Sequence, residues 1–152
     1  MIIYRLLFGI FALALFLTAP NVLLAGPYSD EMAKCLVNST SEDDRSMLVQ
    51  WMFAAFSHHP EVKYLTNITD KQATDLNKAI AKLFTTLMTD RCINETKEAI
   101  KYEGNTTIEK SFTVLGSVAA RGLMSNPNVT KFTADIEKYM DGKKFEEIFG
   151  SQ

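Results

Sequence analysis

The sequence predicts an all-α fold: a single compact bundle of five or six helices, behind a cleaved signal peptide, with one disulfide. Three observations predict it. Apolar residues recur every three or four positions from Met32 onward, with no sustained alternation of strand type. Helix-starting motifs, with a Ser or Thr three residues ahead of an acid or amide, stand before several of these runs. Proline or glycine closes most of them, at Pro60, Gly104, Pro127 and Gly142.

Residues 1–25 read as a secretory leader. A single cation, Arg5, precedes an unbroken apolar stretch from Leu6 to Leu17, and Pro20 is followed by the exit Leu23-Leu24-Ala25-Gly26. Cleavage is expected after Ala25, which leaves residues 26–152 as the helical domain. The competing reading keeps the leader as a membrane anchor, with the domain facing outward. A spanning helix needs about 20 apolar residues, and Leu6 to Ala19 is shorter than that. No cysteine lies near the exit, so lipid attachment there is not expected. Once the leader is cleaved, no stable membrane anchor remains.

In the domain, Ser29 is expected to cap a short helix with Met32, Cys35 and Leu36 on one face. Ser41, with Asp44 three residues on, opens a second helix carrying Met47, Leu48, Trp51, Met52, Ala55 and Phe56. Val49 and Phe53 add apolar flanks, so this helix is expected to be covered nearly all round. His58-His59-Pro60 ends it, because proline pushes the preceding residue out of helical geometry. Thr69-Asp70-Lys71-Gln72 starts a third helix that buries Ala73, Leu76, Ile80, Leu83, Phe84, Leu87 and Met88. A bend near Thr89-Asp90 precedes Cys92, and helix resumes through Ala99, Ile100 and Tyr102 to Gly104.

Thr106-Thr107-Ile108-Glu109 reads as a further capping box, opening a helix with Ile108, Phe112, Leu115 and Ala119 inward. Gly116, Ala119, Ala120 and Gly122 leave part of it nearly bald, which predicts close approach of another backbone. Beyond Asn126-Pro127 lies a helix with Val129, Phe132, Ile136, Tyr139 and Met140. Phe145, Ile148 and Phe149 suggest a short last helix folded back on the bundle.

Cys35 and Cys92 are the only cysteines. In an oxidising compartment two such thiols pair, and a loop of this length is worth about 3–4 kcal/mol. Their spacing suits neither a zinc site, whose ligands come in close pairs, nor a redox CxxC.

Charge and motifs narrow the function. The chain has 16 Lys and Arg against 18 Asp and Glu; the leader removes Arg5 and no acid, taking the formal charge from −2 to about −3. Without a basic stripe, nucleic-acid binding is not expected. A G-x-S-x-G elbow, a phosphate loop, HExxH and CxxCH are all missing, so no cofactor or metal is assigned and the chain is not read as an enzyme. His58 and His59, with Glu61 close by, are the one imidazole pair and support the alternative of a small periplasmic hydrolase using them with scattered acids. Neighbouring helical residues point about 100° apart, which argues against one shared metal ion.

Two residues are candidates for ligand binding. Arg121 sits among small and apolar neighbours, so its guanidinium needs an anionic ligand or a carboxylate such as Glu103 or Glu109. Trp51, with Met47, Met52, Phe53 and Phe56, lines either a hydrophobic cavity or ordinary core. Five N-x-[ST] sequons occur, at Asn38, Asn67, Asn94, Asn105 and Asn128. Glycosylation explains them in a eukaryotic secreted protein; helix capping by Thr69 and Thr106 explains two of them without it.

The segment Cys35-Leu36-Val37-Asn38-Ser39-Thr40, then Asp44-Arg45 and Trp51-Met52-Phe53, resembles small exported helical proteins of Gram-negative bacteria. Lys101-Tyr102-Glu103-Gly104, Phe112 and Leu115-Gly116 are similar to the same group. The resemblance implies a bacterial periplasm and brings no activity with it. The expected function is an exported binding module, periplasmic or secreted, for a protein or a small hydrophobic ligand.

Overall fold

The structure, a computed structural model, describes residues 26–150; the expected leader lies outside the described residues. Seven α-helices and no strand are present among them. They are α1 (Pro27–Asn38), α2 (Glu42–Ser57), α3 (Asp70–Thr86), α4 (Ile93–Glu103), α5 (Thr106–Met124), α6 (Pro127–Ala134) and α7 (Gly142–Phe149). The count exceeds expectation because the bent third element is two helices, separated by a π turn over Leu87–Arg91.

Local sequence explains most boundaries. Ser41 and Thr69 form complete capping boxes with Asp44 and Gln72, each side chain bonding the other's backbone N–H. α2 stops at Ser57, ahead of Pro60, and Asn126 caps α6 with Pro127 in the first turn. Gly104 ends α4 at φ +79° and ψ −177°, a region open to glycine and closed to residues with a β-carbon.

α1 packs against α5 and α4, α2 against α3 and α5, and α4 against α5. Met32, Leu36, Leu48, Ile80, Leu83, Leu87, Cys92, Ala99, Leu115 and Ala119 fill the core. Cys35 and Cys92 form the expected disulfide, with Cα atoms 5.9 Å apart, joining α1 to the start of α4.

Several expectations are overturned. Ser29 is no cap: α1 starts three residues earlier than expected, at Pro27 with Gly26 as the N-cap, and Ser29 is buried. The Thr106–Glu109 capping box does not form. Asn105 holds the N-cap without a side-chain bond, and Thr107 is buried against α1. α2 is covered on one side only, since Phe53 and Phe56 are exposed. Of the small residues of α5, Ala119 does pack into the core, but Gly116 and Gly122 face open space among the described residues, for a β-carbon at either would find nothing within 4 Å. α7 does not fold back on the bundle either; among the described residues no helix packs substantially against it, and Phe145, Ile148 and Phe149 are exposed.

Candidate functional site

An open groove of about 300 Å³ lies between α2, α3 and α5. Leu48, Trp51 and Met52 form one wall, Phe84 the second, and Phe112, Leu115 and Gly116 the third. Helical spacing puts them there: Leu48, Trp51 and Met52 are three and four residues apart, as are Phe112, Leu115 and Gly116. The aromatic rings interlock. Trp51 stands edge-on to Phe84 with centroids 6.3 Å apart, and Phe84 tilts onto Phe112 at 4.4 Å. The indole N–H of Trp51 donates to Asn77 Oδ1 at 2.8 Å, which fixes the ring on the groove wall. Gly116 leaves this wall without a side chain, and that gap widens the recess. Glu109 supplies the single charged lining residue.

Trp51 lines this groove beside Met52 and is partly buried. Arg121 does not join it. It is exposed near the end of α5, does not line the groove, and has no ion pair among the described residues. Glu103, one of its expected partners, is committed elsewhere. Its carboxylate accepts the backbone N–H groups of Tyr28 (2.8 Å) and Ser29 (3.0 Å) and the Ser29 hydroxyl. Those hydrogen bonds, the Ser29 hydroxyl foremost, hold the Glu103 carboxyl below the usual carboxylate range. Thus α4 caps α1 across the fold.

His58 and His59 are exposed at the end of α2, and His59 Nδ1 accepts only the N–H of Glu61 at 3.3 Å. Among the described residues no three His, Cys, Asp or Glu side chains gather closely enough to hold a metal ion. None of the described helices is long and apolar enough to cross a membrane.

A second apolar surface escaped the sequence reading. Beyond Met124 the chain continues as α6, a 3-10 turn over Asp135–Tyr139, and α7. Phe132, Ile136 and Tyr139 stand 80%, 64% and 86% exposed, and Phe145, Ile148 and Phe149 follow them into solvent. Their periodicity predicts a buried face, but among the described residues these side chains are exposed.

No family model, curated protein or solved structure matches this chain.

Proposed function

We propose that this chain is an exported helical binding module, periplasmic or secreted, whose partner is another protein. One observation carries the reading: the unpartnered apolar arm over residues 123–149, alongside the open Trp51–Phe84–Phe112 groove. With aromatic side chains burying 150–250 Å² each, the arm offers on the order of 1,000 Å² of apolar surface. A monomer's largest apolar patch is typically about 300–600 Å², while one side of a standard protein interface is about 800 Å². The arm matches the second figure. The leader-like N-terminus and the Cys35–Cys92 disulfide support export, and the resemblance to exported proteins of Gram-negative bacteria favours the periplasm. A hydrolytic role for His58 and His59 gains no support from their exposed surroundings.

The test is capture by cross-linking in the exported fraction, comparing the unaltered chain with a Phe145→Ser/Phe149→Ser variant. A defined partner captured by the first and lost by the second is expected. Failure to capture any partner, together with stabilisation by a small apolar ligand that a Gly116→Leu change abolishes, would replace the protein partner with a groove ligand. A monomer with neither overturns the reading.

A further inference from the structure

Gly26 is the first residue after the expected leader, and it is also the N-cap of α1. Its carbonyl accepts the N–H of Asp30 at 3.0 Å, so its place is fixed by the first turn. A β-carbon there would lie within 2.8 Å of both oxygens of Glu103, so the end of that side chain would have to move for any residue larger than glycine. With standard bond lengths, the Gly26 nitrogen is then within about 5 Å of the carboxylate. The carboxylate cannot easily swing away, since Tyr28 and Ser29 hold it.

We propose that Glu103 receives the ammonium group that forms when the expected cleavage after Ala25 frees the Gly26 nitrogen. In that step an endopeptidase that trims exported chains adds water across the amide. Ala25 leaves with a carboxylate, and the Gly26 nitrogen becomes an amine that takes up a proton near neutral pH. Before the cut this nitrogen is an uncharged amide. After it, a positive charge stands at the positive end of the α1 dipole, an unfavourable position without a counter-charge. Glu103 of α4 supplies the counter-charge. Other charged groups nearby include Lys110 on α5, whose charge also favours ionised Glu103, Asp30 in the first turn of α1, and Lys101, whose ammonium lies over the Tyr102 ring. Tyr28 and Tyr102 stack beside them with centroids 4.6 Å apart. Cleavage thereby completes the junction of α1, α4 and α5, and the trimmed chain is the more stable form. The inference rests on export and is independent of the binding surfaces.

The experiment pairs two N-termini with two side chains. Protein starting at Gly26 is compared with protein keeping Leu23-Leu24-Ala25, each with Glu103 or with Glu103→Gln. The extension is expected to lower Tm by about 2–4 °C when Glu103 is present, and by less than 1 °C in the Gln variant. An equal effect in both backgrounds, or none, overturns the role of Glu103. Should the Gln variant not fold, the α-amino group is titrated in the unaltered protein with an amine-selective label. A pKa above the ordinary value of about 8 supports the pairing, and an ordinary value overturns it. Intact mass of the exported protein checks the expected cleavage separately: a start at any residue other than Gly26 overturns the proposal, whatever Glu103 does.

Discussion

The guanidinium of Arg91 donates to Asp44 Oδ2 at 2.7 Å and to the carbonyl of Ser39 at 2.7 Å, tying the disulfide-bearing turn to the start of α2. Asp44 is also the acid of the capping box with Ser41, so one largely buried carboxylate serves a local and a distant partner. Burial pushes its carboxyl up, but the hydrogen bonds from Arg91 and Ser41 outweigh this and leave its pKa below the ordinary value. Glu103 is shifted the same way. For groups with depressed folded-state pKa values, the stabilisation is full above the unfolded value of about 4 and disappears as pH falls through the folded one. Stability is therefore expected to be flat above pH of about 5 and to decline below about 4. Asp44→Ala is expected to cost about 1–2 kcal/mol at pH 7 and to weaken that acid decline. Urea unfolding across the pH range checks both.

The disulfide closes a loop with a sequence separation of 57 residues. Cross-linking a loop of that size restricts the unfolded chain by about 4 kcal/mol. Cys35→Ser/Cys92→Ser is expected to lose a similar amount, with the helical circular dichroism of the folded state retained at low temperature. A loss below about 1 kcal/mol would mean that the loop is already constrained in the unfolded chain.

Two buried threonines give opposite expectations for the same substitution. The Thr107 hydroxyl lies 2.6 Å from that of Ser29, whose carbonyl accepts from Ser111. Thr107→Val removes one partner from this buried chain of hydroxyls and is expected to destabilise by about 1 kcal/mol. Thr96 is buried and its hydroxyl has no hydrogen-bond partner among the described residues. Thr96→Val keeps the shape and removes an unsatisfied polar atom, so it is expected to be neutral or to stabilise by up to about 1 kcal/mol. Chemical denaturation of the two single variants separates the outcomes, and equal signs would refute the hydrogen-bond assignment.

Gly116 and Gly122 both lie in α5 with open space where a β-carbon would go. Glycine in a helix interior is about 1 kcal/mol less favourable than alanine. Gly122→Ala and Gly116→Ala are each expected to stabilise by roughly that amount, read as a rise in the urea midpoint. The second change also narrows the groove, so it should weaken any ligand seated between Trp51 and Phe112 while raising stability. A destabilised Gly116→Ala would show that the groove closes in solution.

What the residues disclosed depended on how local the physics was. Ser41-x-x-Asp44 and Thr69-x-x-Gln72 could be read directly, because each box is complete within four residues. Thr106-x-x-Glu109 has the same pattern and fails. Gly104 turns the chain so that Thr107 faces Ser29, and the tertiary hydrogen bond prevails over the local cap. Nothing within α1 announces that its N-terminus is capped from a glutamate 75 residues away. Half of the groove was visible, as the Trp51–Met52 stripe; Phe84 and Phe112 join it only once α3 and α5 have packed.

The arm shows the remaining gap, for periodicity identifies an apolar face without saying what covers it. Because the bundle's core lies within α1 to α5 and the turn joining α3 to α4, α7 adds little to folding. Truncation after Met140 removes Phe145, Ile148 and Phe149 together, and is expected to shift Tm by no more than about 1 °C. It should at the same time abolish capture of the partner. A large fall in Tm would mean that α7 packs against the bundle in solution, returning these side chains to the core. An unchanged Tm with undiminished capture would move the binding surface off α7, to Phe132, Ile136 and Tyr139 or to the groove. Scanning calorimetry and cross-linking on the same preparation distinguish the three results.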